Sequence, residues 1–283
     1  MARKTAVQRR EDRRSLLFAL PMLCFGVLLV ALPLIYVLVT SLAASDGSGF
    51  TLANYRALLR ADYLLVFANS LKLAFETTVI CFAIGYPFAY CMARAPRRWK
   101  SLLLMLVIIP FWTSALVRIY GWKILLQANG PINAVLRSLG LIEKNLRFLG
   151  TYGSVLLVMV YCLISLMILP CHSAVDKMDF TLVEAARDLG SKPWLAFLTV
   201  TLPLTMPGIL AGCVLVFVPS VGMFYLSDIM GGGLVLVGNL IRDQLLKVRD
   251  WNVGSAMSMV LIVMSALFYL LYRKSGGDSG LGV

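Results

Sequence analysis

The sequence predicts an all-α integral membrane protein with six transmembrane helices. Three observations carry that expectation. Hydrophobic residues fill 60% of the 283 positions and charged residues only 14%, whereas soluble domains carry about 25% charged residues. Mean hydropathy is +0.85. The apolar residues also gather into stretches of the length, about 20 residues, that a helix needs to cross a bilayer.

The first stretch is free of charge from Ser15 to Ser45. It is too long for a signal peptide, and Leu34-Ile35-Tyr36-Val37 is no small-residue cleavage site, so it reads as a retained anchor. The second runs from Asn69 to Ala93, the third from Ser101 to Val117, and the fourth lies within Phe148–Val175. The fifth runs from Pro207 to Ser227 and the sixth from Trp251 to Tyr272. Residues 15–272 therefore form one permeation-sized membrane domain. A basic tail, residues 1–14, precedes it, and a Gly/Ser-rich tail, residues 273–283, follows and reads as flexible.

Basic residues set the expected orientation. Arg3, Lys4, Arg9, Arg10, Arg13 and Arg14 crowd the N-terminal tail, and Arg94, Arg97, Arg98 and Lys100 crowd one short loop. With an even number of spans, both clusters, Arg273-Lys274 and the loop 176–206 share one side, read as the cytosol. Residues 43–68, 118–152 and 228–250 then face outward, with a short helix at Ile132–Leu139 between Pro131 and Gly140. The net charge of +12 would suggest nucleic acid in a soluble chain. Here it reads as span flanks facing anionic lipid, with no nucleic-acid partner.

Several chemistries are not written in the chain. The six cysteines lie in or beside apolar segments without a C-x-x-C pair, which argues against a disulfide framework or a zinc site. The lone His172 reads as an interfacial residue. No G-x-x-x-x-G-K-[ST], H-E-x-x-H or G-x-S-x-G occurs, so neither a P-loop nor a familiar hydrolase constellation is present. These absences weigh against a membrane enzyme and leave ATP without a site in this chain.

The loop 176–206, DKMDFTLVEAARDLGSKPWLAFLTVTLPLTM, is longer than a connector requires. Leu182, Val183, Ala186 and Leu189 fall on one helical face. Asp179 or Thr181 can cap the start, and Gly190 can end the helix. A second short helix, Trp194–Val200, follows Pro193, and Pro203 and Pro207 separate it from the fifth span. A short amphipathic helix of this kind suits docking into a groove on a partner. Four acids against three bases in the loop make a lipid-surface role the weaker alternative, since that role favours a strongly basic face.

The run Glu184-Ala185-Ala186-Arg187-Asp188-Leu189-Gly190, followed after eleven residues by Leu202-Pro203, resembles the EAA loop of ABC-importer permeases. The resemblance covers nearly the whole chain. Gly85-Tyr86-Pro87-Phe88-Ala89-Tyr90, Pro110-Phe111-Trp112-Thr113-Ser114, Arg118-Ile119-Tyr120-Gly121-Trp122, Phe224-Tyr225-Leu226-Ser227-Asp228 and Arg249-Asp250-Trp251 are similar to the spermidine/putrescine branch of that family. The resemblance implies a MetI-like fold in the bacterial inner membrane with both termini cytosolic. It implies that Glu184, Ala185, Ala186 and Gly190 form a coupling helix gripped by an ATPase dimer, which binds ATP and Mg²⁺. It further implies a second, PotC-like permease subunit, a periplasmic polyamine-binding protein and a polyamine substrate. The competing expectations are another small solute, such as an amino acid or an organophosphonate, and an autonomous channel.

A polyamine site needs carboxylates for ammonium groups and aromatic faces for cation–π and methylene contact. Asp228 closes the fifth span one turn after Phe224 and Tyr225. Phe111 and Trp112 follow Pro110 in the third span, Tyr120 and Trp122 lie near its outer end, and Tyr86 and Tyr90 share a face of the second. Glu76 is the one acid well inside a span, about 10 Å down from Asn69 at 1.5 Å per residue. Each has a second reading. Tyr120 and Trp122 suit a belt anchor, and Tyr86 and Tyr90 suit packing. Asp228 suits a hydrated helix end or a partner for Arg118, and Glu76 suits an i,i+4 pair with Lys72. Pro87, Pro110, Pro170 and Pro219 invite kinks, and Gly85, Gly212 and Gly222 allow close packing.

Overall fold

The computed structural model describes residues 6–44, 49–231 and 233–274. Arg3, Lys4 and the tail 275–283 lie outside them. Among the described residues the structure is helical, with one isolated bridge between Ala43 and Phe50. Five helices are long and apolar enough to cross a membrane, or six with one bent pair taken as a single span. Lipid cannot hydrogen-bond the backbone, so helices that satisfy themselves are the form such segments take.

The chain falls into two compact units. The first contains α1 (Ala6–Leu42), α2 (Ala53–Ala57) and residues 243–261. Residues 9–14, read as tail, are already helical. Most of the described apolar side chains of α1 between Met22 and Val39, among them Phe25, Leu28, Leu32 and Ile35, stand exposed, as a lipid-facing helix requires. Its last carbonyls are satisfied by Asn54, whose Nδ2 donates to Ser41 O and Ala43 O, both at 2.9 Å.

The second unit holds residues 61–242 and the end of the last helix. Helix α3 (Ala61–Arg94) begins eight residues before the predicted second span. The third span is not continuous. It breaks at Thr113–Ser114 into α4 (Arg97–Trp112) and α5 (Ala115–Leu125), bent by 93°. Pro110 removes a helical donor just upstream, and the freed Pro110 carbonyl accepts the Thr113 hydroxyl at 2.7 Å. Helix α6 (Pro131–Ser138) matches the expected short helix. Helix α7 (Tyr152–Asp176) is the fourth span, with Thr151 as its N-cap.

Beyond the short α8 (Thr181–Asp188), the expected break before the fifth span is absent. Helix α9 (Pro193–Ala196) runs through a π turn, Phe197–Thr201, into α10 (Leu202–Gly222). Pro203 lies two residues past the π turn, inside this continuous run. The span ends at Gly222 rather than Ser227, and α11 (Phe224–Met230) starts afresh. Helix α12 (Val237–Asp243) and a π turn, Gln244–Val248, then precede α13 (Trp251–Lys274). The outer segment 228–250 thus contains helices that the sequence reading did not assign. Its helices are too short to register as periodicity in the sequence.

In the second unit α3, α7 and α10 pack on one another, with α7 between its neighbours. Met159, Met167, Cys171 and Val175 of α7 are fully buried, as are Cys81, Ala89 and Met92 of α3 and Val216 of α10. Glycines set the approach. A Cβ on Gly208 would lie 2.4 Å from the Ala174 Cβ and 2.7 Å from the Pro170 carbonyl. One on Gly212 would lie 2.7 Å from the Met167 Sδ. Thr77 and Thr78 return their hydroxyls to carbonyls one turn back, so they are buried without an unmet donor.

Gly208→Ala is therefore expected to destabilise the protein by about 1–3 kcal/mol, the usual range for overpacking. Gly222→Ala, with nothing within 4 Å of its added methyl, should be neutral or stabilising. Thermal unfolding of the detergent-purified protein, followed by tryptophan fluorescence, compares the two. Equal midpoints would show that α7 and α10 pack less closely than described.

Candidate docking helix and substrate path

Helix α8 lies at one end of the second unit, and none of its residues is buried. The Asp179 carboxylate accepts the Thr181 N–H at 3.0 Å, the start the sequence suggests. That backbone bond, and then the Thr181 hydroxyl, hold the Asp179 carboxyl below the usual carboxylate range. The finish is a Schellman motif. Gly190 N–H donates to Arg187 O at 2.9 Å and Ser191 N–H to Ala186 O at 3.1 Å. This closure holds residue 190 at φ +89°, a conformation glycine adopts without strain. Glu184 and Ala185 face outward and Ala186 is half-buried. Leu182, Leu189 (88% exposed) and Trp194 add an apolar surface left open among the described residues.

A chain of rings joins that helix to the membrane core. Phe180, just before α8, meets Tyr90 of α3 edge to face at 6.4 Å. Tyr90 meets Phe197 at 6.0 Å, Phe197 meets Tyr86 at 6.0 Å, and Tyr86 meets Phe82 at 5.6 Å. The Arg94 guanidinium lies over both Tyr90 (5.5 Å) and Phe180 (5.3 Å). The Tyr86 hydroxyl is 2.9 Å from the Thr205 hydroxyl, which in turn donates to Thr201 O at 2.8 Å. Lys100 and Asp176 pair between α4 and the end of α7. Tyr90 thus contacts the segment leading into α8, and its neighbours are those of a packed joint.

The other end of this unit, which carries α6, holds Glu76 and Asp228. Glu76 lies level with the first residue of α7. Its Oε2 accepts the Tyr152 hydroxyl at 2.6 Å, and its Oε1 lies 3.9 Å from Lys72 Nζ. Because α3 begins at Ala61 and not at Asn69, Glu76 lies fifteen residues past the start of its helix. Asp228 pairs with Arg242, not Arg118, and accepts Asn239 Nδ2 at 2.7 Å. Asn239 is fixed by the backbone on both sides. It accepts Leu236 N–H at 3.1 Å, capping α12, and donates to Phe224 O at 3.2 Å. The Ser70 hydroxyl accepts Val237 N–H at 2.9 Å and docks the start of α12 on α3. Tyr225 is half-buried against the core beside Phe224, 6.0 Å from it. Phe111 (49% exposed) and Trp112 (84% exposed) stand at the break between α4 and α5. The structure does not bring them onto Asp228 or Glu76.

Arg242, Asn239, Tyr152, Phe180 and Phe197 were not singled out in the sequence. Asn239 and Arg242, three apart, share a helical face, a signal visible only once residues 237–243 are read as a helix. The two phenylalanines flank the docking helix and carry no motif of their own.

The model of the family described as binding-protein-dependent transport system inner membrane component matches residues 85–275. The spermidine/putrescine transport system permease protein PotB of Haemophilus influenzae is 44% identical over 255 residues, covering 88% of this chain and 89% of that one. Its Escherichia coli counterpart is 43% identical, covering 88% and 93%. An inner membrane ABC transporter permease protein of Escherichia coli, YdcU, is 30% identical over 82% of this chain and 78% of its own. Among solved structures, a chain of a bacterial ABC transporter that imports the acidic polysaccharide alginate matches with a TM-score of 0.75 at 16% identity, over 95% of this chain and 99% of that one. A chain of the MetNI methionine ABC transporter matches with a TM-score of 0.56 at 14% identity, over 79% and 100%. At those identities the likeness is one of fold.

Gly190→Ala should weaken the closure of α8 by about 1–2 kcal/mol, the cost of a Cβ in the left-handed region. Hydrogen exchange at the Ser191 amide should then quicken by roughly fivefold or more. An unchanged rate would mean that the Schellman bonds do not hold the helix end.

Proposed function

The chain belongs to the binding-protein-dependent transport system inner membrane component family, and from that premise we propose that it imports spermidine and putrescine. It is a multi-pass inner-membrane permease subunit of an ABC importer and not an enzyme. Polyamines as the cargo are supported by the likeness to the spermidine/putrescine permeases across nearly the whole chain, which is the observation that carries the reading. The chemistry at the α6 end agrees with it. Two carboxylates stand there: Glu76, bonded to the Tyr152 hydroxyl, and Asp228, paired with Arg242, whose guanidinium lies over the Phe224 ring, so carboxylates and aromatic faces of the kind an alkylammonium uses are present.

In the proposed cycle the α8 end faces the cytosol, as do both chain termini. An ATPase dimer carrying ATP and Mg²⁺ receives α8 in a groove. Its contacts are Leu182, Leu189 and Trp194, with Glu184, Ala185 and Ala186 on the same exposed helix. A push on α8 passes through Phe180 to Tyr90 of α3 and through Phe197 to α10. These two helices pack on α7, so the unit responds as a body. A periplasmic polyamine-binding protein delivers substrate at the α6 end. A second, PotC-like permease subunit completes the cavity, with Tyr225, Phe111 and Trp112 as aromatic surface along the path. Closure of the ATPase dimer opens the cavity outward, and hydrolysis returns it to the cytosol.

Glu184→Ala is expected to leave membrane insertion intact and cut receptor-dependent uptake at least tenfold while ATP hydrolysis continues. Reconstituted vesicles assayed for phosphate release and labelled spermidine together read this directly. Full uptake would remove α8 from the coupling path. Asp228→Asn is expected to lower uptake more than it lowers co-purification of the ATPase. Unchanged uptake kinetics would make Asp228 a structural partner of Arg242 only.

A further inference from the structure

Lys72 is held in an arrangement that its own chemistry explains. Its side chain is a four-carbon arm ending in an ammonium, the same aminobutyl group that putrescine and one end of spermidine carry. The ammonium lies 3.9 Å from Glu76 Oε1 and 5.8 Å from the centre of the Tyr152 ring. The Tyr152 hydroxyl donates to the other carboxylate oxygen at 2.6 Å. Glu76 is thereby fixed with one oxygen bonded and the other turned toward a cation. A carboxylate oxygen and an aromatic face converge on one aminobutylammonium, and this chain supplies that group itself.

The hold on Lys72 is loose. Its distance from Glu76 is at the outer edge of an ion pair, and its side chain is 66% exposed against 33% for Glu76. Exposed pairs of this kind contribute little to stability. The Glu76–Tyr152 bond is short, joins two helices and does not involve Lys72. Withdrawing Lys72 would leave the acceptor in place. A station with a fixed acceptor and an exchangeable occupant is what a ligand of the same chemistry can enter.

We propose that Glu76 and Tyr152 form a docking station for the aminobutyl end of the substrate and that Lys72 is its built-in competitor. The proposal rests on the polyamine reading above. Resting on Glu76, Lys72 neutralises the carboxylate between transport events. It swings aside when a diffusible ammonium arrives. Because the competitor is tethered, a single ammonium displaces it less readily than a polyamine, whose further ammonium groups bind elsewhere at the same time. Lys72 therefore sets the affinity of the station and favours multivalent cations over simple amines.

The test uses the assembled complex of this chain, its permease partner and the ATPase in lipid nanodiscs. Putrescine binding is measured without receptor, and spermidine uptake is measured separately with receptor and ATP. Lys72→Gln should tighten putrescine binding roughly two- to fivefold, the range a surface pair can impose. Lys72→Arg, which keeps a cation, should not. Glu76→Gln should weaken binding, and adding Lys72→Gln to it should change nothing more. Glu76→Asp serves where Glu76→Gln fails to insert, and it should bind less tightly than the parent. If the parent takes up spermidine but the Lys72 and Glu76 variants bind putrescine as the parent does, the station is overturned and the polyamine reading stands. If the parent takes up no polyamine, that reading falls and the station with it.

Discussion

Helix α10 can lie against α7 because Gly208 and Gly212 carry no side chain at the crossing. In lipid no hydrophobic force drives helices together, since the surroundings are as apolar as the side chains. Close approach and van der Waals contact take its place. A methyl on Gly208 would meet both a side chain and a backbone carbonyl of α7 at clashing distance, so the crossing has no slack. Gly85 of α3 meets Met167 and Ile168 of the same central helix at the edge of tolerable contact. Three helices are thereby held at fixed spacing, and the elements at either end depend on that spacing.

From this packing follows the behaviour expected of the α8 end. A docking helix with no buried residue cannot hold its own position. It is positioned by what flanks it: Asp179 and Gly190 at its ends, and Phe180 and Phe197 against Tyr86 and Tyr90 of α3. Rings in edge-to-face contact keep their geometry when the whole group moves and lose it when one partner moves alone. The ladder thus favours joint displacement of α8, α3 and α10. At the α6 end the arrangement differs. Short helices α11 and α12 add polar contacts, Asn239 with Asp228, Ser70 with Val237, and Gly150 with Met230, to the burial of Leu226, Met230 and Leu236 in the core.

The spans that were legible in the sequence were those with long uninterrupted hydropathy, and the docking helix was legible because its cap, its glycine and its apolar face all agreed. The Gly85 and Gly212 contacts were also readable, since small residues inside spans have few other uses. What escaped has physical causes. The bend at Thr113–Ser114 lies inside an apolar run, where composition does not change. The passage from α9 into α10 runs through two prolines that usually stop helices, and a π turn relieves them. The pairing of Asp228 depends on a helix of seven residues, too short for its period to appear. Tyr90 carries two readings in sequence, cargo contact or packing, and its contacts with Phe180, Phe197 and Arg94 were not visible there.

The function proposed for this chain is that of the membrane path of a receptor-fed, ATP-driven polyamine importer. The decisive measurement is uptake of labelled spermidine into proteoliposomes containing the chain, a PotC-like partner and the ATPase. Uptake is expected to require both ATP and receptor, and to be blocked by excess putrescine but not by an amino-acid mixture. Uptake by this chain alone, or ATP- and receptor-dependent activity that moves no polyamine, would contradict it.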